Sequence, residues 1–123
     1  MDNRPVTIFT DLDGTLIHHS GNVNDQFEKP LKLLNGTLEK LAEWDKLGYN
    51  IIITTGRKEG MRKRTEKQLQ EAGIFYDQLI MGIGGGVRVL INDKKPDKDN
   101  KTAIAINIKR NEGVSNITLW KKK

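Results

Sequence analysis

Residues 6–17 read Val-Thr-Ile-Phe-Thr-Asp-Leu-Asp-Gly-Thr-Leu-Ile. Val6, Ile8 and the β-branched Thr7 and Thr10 favour a short strand, and Asp11 and Asp13 stand where it stops and Gly14 lets the backbone turn. Residues two apart on an extended segment point the same way, so the two carboxylates lie side by side. Such a pair repels unless a cation or a proton sits between them, which points to a metal site, an acid/base pair, or both. A strand followed by an ordinary acidic turn would use the same residue types, because Asp and Gly are common in turns.

Downstream, Ile17 to Lys29 is polar and reads as a loop or small flap, with His18, His19, Ser20, Gly21 and Asn22 near its start and Asn24 within it. The paired histidines lack further ligands at zinc spacing. Asn35-Gly36-Thr37 opens a helix whose Leu38, Leu41, Ala42 and Leu47 fall near one face and which ends at Gly48, with Thr37 or Asn35 as the N-cap. Tyr49-Asn50-Ile51-Ile52-Ile53-Thr54 is a continuous apolar strand, the pattern of a parallel sheet covered by helices. A second helix over about 58–72 has a narrow apolar stripe, Met61, Leu69 and Ala72, and a strongly basic surface, and it stops at Gly73. Residues 74–81 suggest a short third strand, and Gly84-Gly85-Gly86 a hinge-like loop. Val87-Arg88-Val89-Leu90-Ile91 is the expected fourth strand and Thr102 to Ile108 the fifth. Ligands in open parallel α/β sheets bind outside the carboxyl ends of the strands, which places Lys109 and Arg110 near the same rim as the acidic residues, Arg110 as a substrate contact. The tail from Val114 to Trp120 either caps the core or meets another subunit.

The string Asp-x-Asp-Gly-Thr-Leu at the end of a buried strand resembles the first motif of the haloacid dehalogenase superfamily of phosphohydrolases and phosphotransferases. The resemblance implies that Asp11 attacks phosphorus to give an aspartyl phosphate, while Asp13 protonates the leaving oxygen and then activates water. Thr54-Thr55-Gly56-Arg57 looks like the second motif, in which Thr55 donates its hydroxyl to the phosphoryl group. Gly14, Thr15, Gly56 and Arg57, which complete these two motifs, are the implied substrate contacts. The fourth motif is an acidic cluster at a strand end, and Asn92-Asp93-Lys94-Lys95-Pro96-Asp97 offers Asp93, with Asp97 at the second spacing and Asn92 where a first acid would be. Asp11, Asp13 and Asp93 are then the implied ligands of Mg²⁺, which tolerates a neutral oxygen or water in place of one carboxylate. The third motif, a Lys or Arg that steadies the phosphoryl group, has no secure match. Lys94, Lys95, Arg88 and Lys63 are available, and Lys94 is the choice.

Length and charge bound these expectations. A chain of 123 residues is one domain with one core. The intervals between the motifs leave no room for a cap. The absence of cysteine excludes disulfides and thiolate metal sites and fits a reducing interior. No apolar run reaches membrane-spanning length, and the polar start is unlike a signal peptide, so a cytoplasmic protein without membrane contact is expected. A net charge of +5 suits an anionic partner. The reading that follows is an α/β three-layer α/β/α sandwich with a Rossmann-like parallel sheet of about five strands. It would act as a Mg²⁺-dependent phosphatase on a small phosphorylated metabolite such as a sugar phosphate. A nucleic-acid end phosphatase and a catalytically idle phosphate-binding module are the alternatives. The open site and the apolar tail with Trp120 suggest a homo-oligomer.

Overall fold

The structure is a computed structural model that describes residues 4–22, 26, 28–94, 96 and 101–119. Lys95, Asp97, Asn24 and Trp120 lie outside the described residues. The elements run β1 (Thr7–Asp11), α1 (Thr37–Lys46), β2 (Asn50–Thr54), a 3₁₀ turn (Glu59–Met61) leading into α2 (Arg62–Ala72), and β3 (Gln78–Ile80). β1 pairs with β2 and β2 with β3, both in parallel, so the sheet order is β1-β2-β3. Parallel strands need a crossover, and each gap here is filled by a helix.

The register decides which residues share a face. Ile8 lies beside Ile51, Thr10 beside Ile53, and Ile53 beside Leu79. Thr10 is buried, and Ile51, Ile53 and Leu79 meet Leu41 and Trp44 of α1 and Leu69 of α2 in the core. Right-handed crossovers carry both helices to one side of a sheet wound in this order. The opposite face, with Phe9, Ile52 and Ile80, is more open, and Phe9 is 55% exposed. Among the described residues no helix is long and apolar enough to cross a membrane.

Two details at α1 depart from expectation. Its N-cap is Gly36, at φ 82°, with no side-chain cap. Position 36 is pressed against the tail, where a Cβ would come within 2.5 Å of the Ser115 Cα, so only glycine fits. Thr37 instead donates its hydroxyl to the Leu16 carbonyl at 2.6 Å, tying the helix start to the loop after β1.

The α/β class, the parallel sheet and the lack of a cap between the motifs stand as the sequence implies. The strand count does not: among the described residues three strands form where about five were expected. Residues 87–91 and 102–108 have no ladder partner among the described residues. Val87 is 94% exposed and Ile91 88%, so alternate side chains find neither a buried face nor a neighbour. Among the described residues the two segments are joined at their near ends, where Asn92 Nδ2 donates to the Thr102 carbonyl at 3.4 Å and the Thr102 hydroxyl donates to the Asp93 carbonyl. The described tail does cap the core. Val114 is buried, Ile117 and Leu119 pack beside it, and the Val114 N–H donates to the Asn35 carbonyl at 2.9 Å.

Candidate active site at the end of β1

Just past β1 the chain folds back on itself. The Leu12 carbonyl accepts from the N–H groups of Thr15, Leu16 and Ile17, and the Gly14 N–H donates to the Ile17 carbonyl at 2.7 Å. Gly14 holds φ 91°, a conformation side chains rarely adopt. Leu12 and Leu16 plunge into the core, and this anchors the loop that presents the aspartates between them.

Asp13 is fixed from below. Arg57 grips it bidentately, Nη2 to Oδ1 at 2.9 Å and Nε to Oδ2 at 3.0 Å. Only 2% of the Arg57 side chain and 13% of the Asp13 side chain are exposed. The remaining Arg57 nitrogen, Nη1, donates to Thr65 Oγ1 at 3.2 Å and to Gln68 Oε1 at 3.0 Å. Gln68 in turn donates its amide to the carbonyls of Gln26 and Lys29 at 2.8 and 2.9 Å. One buried path therefore runs from the flap through α2 to Asp13. Arg57 was expected to contact substrate; four of its side-chain N–H groups donate to Asp13, Thr65 and Gln68, so the guanidinium orients the Asp13 carboxylate while it also lines the cleft above it. The thin apolar stripe of α2 explains itself here. Thr65 and Gln68 fill the inward positions between Met61, Leu69 and Ala72, and they are polar because a guanidinium is buried against them.

Thr55 is buried at the end of β2, and its hydroxyl oxygen accepts from the Arg57 N–H at 3.1 Å. Its backbone is pinned on both sides, N–H to the Ile80 carbonyl and carbonyl from the Ile83 N–H. Gly56 is where the Ile83 carbonyl approaches, 2.9 Å from the position of a Cβ. β1 and β2 thus deliver both motifs to one end of the sheet, with Asp11 beside Thr54 in the register.

Asp11 remains exposed at the strand end. Its carboxyl is pushed above the ordinary carboxylate range, chiefly because surrounding groups displace its water. The Leu12 N–H, the charge of Arg88 and the Thr15 hydroxyl, 3.3 Å from Oδ2, oppose that shift, while the charge of Asp13 adds to it. Arg110 reaches the same rim. Its Cγ passes 3.2 Å from where a Gly14 Cβ would be, and the adjacent Asn111 clamps the loop, N–H to the Gly14 carbonyl at 2.8 Å and Oδ1 from the His19 N–H at 2.7 Å.

Two clefts mark the surface. One of about 320 Å³ opens over Asp13 and is lined by Ile17, His18, Ser20, Gln26, Lys29, Pro30, Leu31, Lys32 and Arg57. The other, about 380 Å³, lies between 106–108 and the tail and contains neither aspartate; it is slightly larger, but only the first is lined by Asp13.

The sequence profile of the haloacid dehalogenase-like hydrolases matches residues 8–95. The chain belongs to that family. No curated protein matches it significantly. Among solved structures, this haloacid dehalogenase-like hydrolase is similar to a chain of the Pnkp1/Rnl/Hen1 complex at 29% identity and a TM-score of 0.55, over 69% of this chain and 30% of that one. A second structure, of the Pnkp1/Rnl/Hen1 RNA repair complex, gives 29% identity and a TM-score of 0.56, over 68% and 28%. The chain therefore spans under a third of the length of those relatives. A crystal structure from Vibrio cholerae shares the fold at 21% identity and a TM-score of 0.51, covering 71% of this chain and 79% of that one.

Members of the family generally use Mg²⁺, and the residues of this hydrolase fit that ion in part. Asp11 offers an exposed carboxylate, a hard oxygen donor of the kind Mg²⁺ takes once or twice beside waters and substrate oxygens. The Asp13 carboxylate is enclosed by Arg57. The expected third ligand, Asp93, stands apart: it is exposed on the unpaired segment, and among the described residues no three carboxylate or imidazole side chains converge. Lys94 is exposed on the same segment. The cation whose charge reaches Asp11 is Arg88, which the sequence offered only as one of several substitutes. Asn92 is turned to Thr102. Gln68, Thr65 and Asn111 were missed outright; the spacing of Thr65 and Gln68 with Met61 and Ala72 was the available signal.

Proposed function

We propose that the chain is a phosphomonoester phosphatase that works through an aspartyl phosphate on Asp11 and acts on a small phosphorylated metabolite. The observation that carries this is the pairing of an exposed Asp11, held by the Leu12 N–H and the Thr15 hydroxyl, with an Asp13 locked in one orientation by buried Arg57. A nucleophile must be free to attack; an acid must be aimed. An Asp11 oxygen attacks phosphorus, the bond from phosphorus to the ester oxygen breaks, and that oxygen takes the proton carried by Asp13. Arg57 occupies one lone pair on each Asp13 oxygen and leaves others for the proton. Asp13 then takes a proton from water, whose oxygen displaces Asp11 from phosphorus and frees phosphate. Mg²⁺ at Asp11 would neutralise the phosphoryl oxygens.

Asp11→Asn should abolish Mg²⁺-dependent turnover and the beryllofluoride adduct on residue 11, with the fold unchanged by circular dichroism. Full activity in that variant would end the proposal. A nucleic-acid end phosphatase is the second reading, supported by the 29% identity to chains of RNA-repair complexes and by the +5 charge. It predicts activity that falls steeply with salt.

A further inference from the structure

The acid that protonates a leaving group must face it, so the space beside Asp13 is where the leaving group goes. That space is the cleft of about 320 Å³, the lower end of the range for small-molecule sites. Its charged lining is Asp13, Arg57, Lys29 and Lys32. Asp13 and Arg57 neutralise each other through two hydrogen bonds, which leaves the cleft net positive. Lys32 makes no ion pair among the described residues, and it is held in place by its backbone. Its carbonyl accepts from the His18 N–H at 2.8 Å, Leu34 donates to Leu16 at 3.0 Å, and Ile17 bridges Leu33. This short antiparallel clamp sets His18 and Lys32 against each other in the cleft wall. The far wall is fixed too, because buried Gln68 holds the Gln26 and Lys29 carbonyls.

From this placement we infer that the cleft is a leaving-group subsite for a second anion: the substrate is a small phosphomonoester whose alcohol half carries a carboxylate or further phosphate, received by Lys32 with His18 beside it. This rests on the phosphatase reading, which assigns Asp13 its role. Isothermal titration of the Asp11→Asn protein separates the two. It should bind 3-phosphoglycerate at least about tenfold more tightly than glycerol 3-phosphate, the worth of one charge-assisted hydrogen bond, and Lys32→Glu in that background should erase the preference. Lys32 is exposed, so the variant should fold, which circular dichroism checks. Equal affinities with Lys32 present, or a preference that survives Lys32→Glu, would overturn the subsite. In steady-state assays of the parent protein, hydrolysis of both esters at equal kcat/KM would also remove the subsite while keeping the phosphatase. Failure to hydrolyse either, with the binding preference intact, would do the reverse. A short oligonucleotide with a terminal phosphate that outcompetes 3-phosphoglycerate would overturn the assignment to a small acid.

Discussion

Asn50-Ile51-Ile52-Ile53-Thr54 and Val87-Arg88-Val89-Leu90-Ile91 have much the same strand-forming chemistry, yet the first is the middle of the sheet and the second lies open to solvent. β2 has β1 on one side, β3 on the other, and a helical layer that buries Ile51 and Ile53. Residues 87–91 have none of these. β-propensity measures how well a side chain suits a pleated, half-buried surface, so without the surface it does not make a strand. The later part of the chain contributes instead through Ile108 and the tail, which packs into the core at Val114, through Asn111, which clamps the Gly14 loop, and at the rim, where Arg88 and Arg110 approach.

The sharpest way to break this contrast is at the buried ion pair on which the first region is built. Arg57→Ala strands the Asp13 carboxylate and empties the space between β2 and α2. Removing one partner of a buried pair costs about 3–5 kcal/mol, and urea denaturation should show a loss of that size. A loss below about 1 kcal/mol would mean that water reaches Asp13 freely. Next in size is a matched pair of truncations. Ile53→Ala, at a fully buried position, should cost about 2–5 kcal/mol, whereas Ile91→Ala should stay within about 0.5 kcal/mol. Comparable losses at both sites would show that 87–91 is packed in the working protein, and the contrast would fall.

Legibility followed the same division. Asp11, Asp13, Thr55 and Arg57 could be assembled from sequence because each closes a strand or its turn, and parallel winding sends such ends to one rim. The role of Arg57 could not. A basic residue after a strand reads as a surface contact until the helix opposite is seen to present Thr65 and Gln68 to it. The fourth and fifth strands were over-read because an apolar β-branched run carries no information about its partner, and Asp93 and Lys94 sit on a segment without a ladder partner among the described residues. The helix start was read with Thr37 or Asn35 as the cap and not Gly36, because the constraint on Gly36 comes from Ser115, far along the chain.

The docking of the tail predicts the third effect. Gly113 holds φ 93°, and a Cβ there would come 2.5 Å from the Asn35 carbonyl oxygen and 2.8 Å from its nitrogen. Those are backbone atoms and cannot swing aside, and the backbone conformation itself costs a side chain about 1–2 kcal/mol. Gly113→Ala should therefore destabilise by at least that much, while Gly85→Ala, in open space, should not. Thermal melts of the two variants make the comparison. Equal melting temperatures would place the tail off the core.

The smallest effect concerns Arg88, the residue through which the unpaired segment still reaches the chemistry. In the proposed mechanism Asp11 must be ionised to attack phosphorus, and its carboxyl titrates above the usual range because burial disfavours the charge. The Arg88 guanidinium favours the ionised form, so replacing it in Arg88→Gln should push the carboxyl's titration further up. The acid limb of kcat/KM reports the free enzyme's ionisations, and it should move to higher pH, with activity lost first at the acid end and retained near neutrality. Arg88 is exposed, so the shift should shrink as ionic strength rises and the charge is screened. Thr15→Val removes a hydrogen bond that acts in the same direction, yet its effect should persist in salt, because a short-range bond is not screened. The two profiles together separate a through-space charge from a contact. An acid limb in Arg88→Gln that coincides with the parent's at low salt would mean that 87–91 lies elsewhere during turnover, and the electrostatic tie between the two regions would be lost.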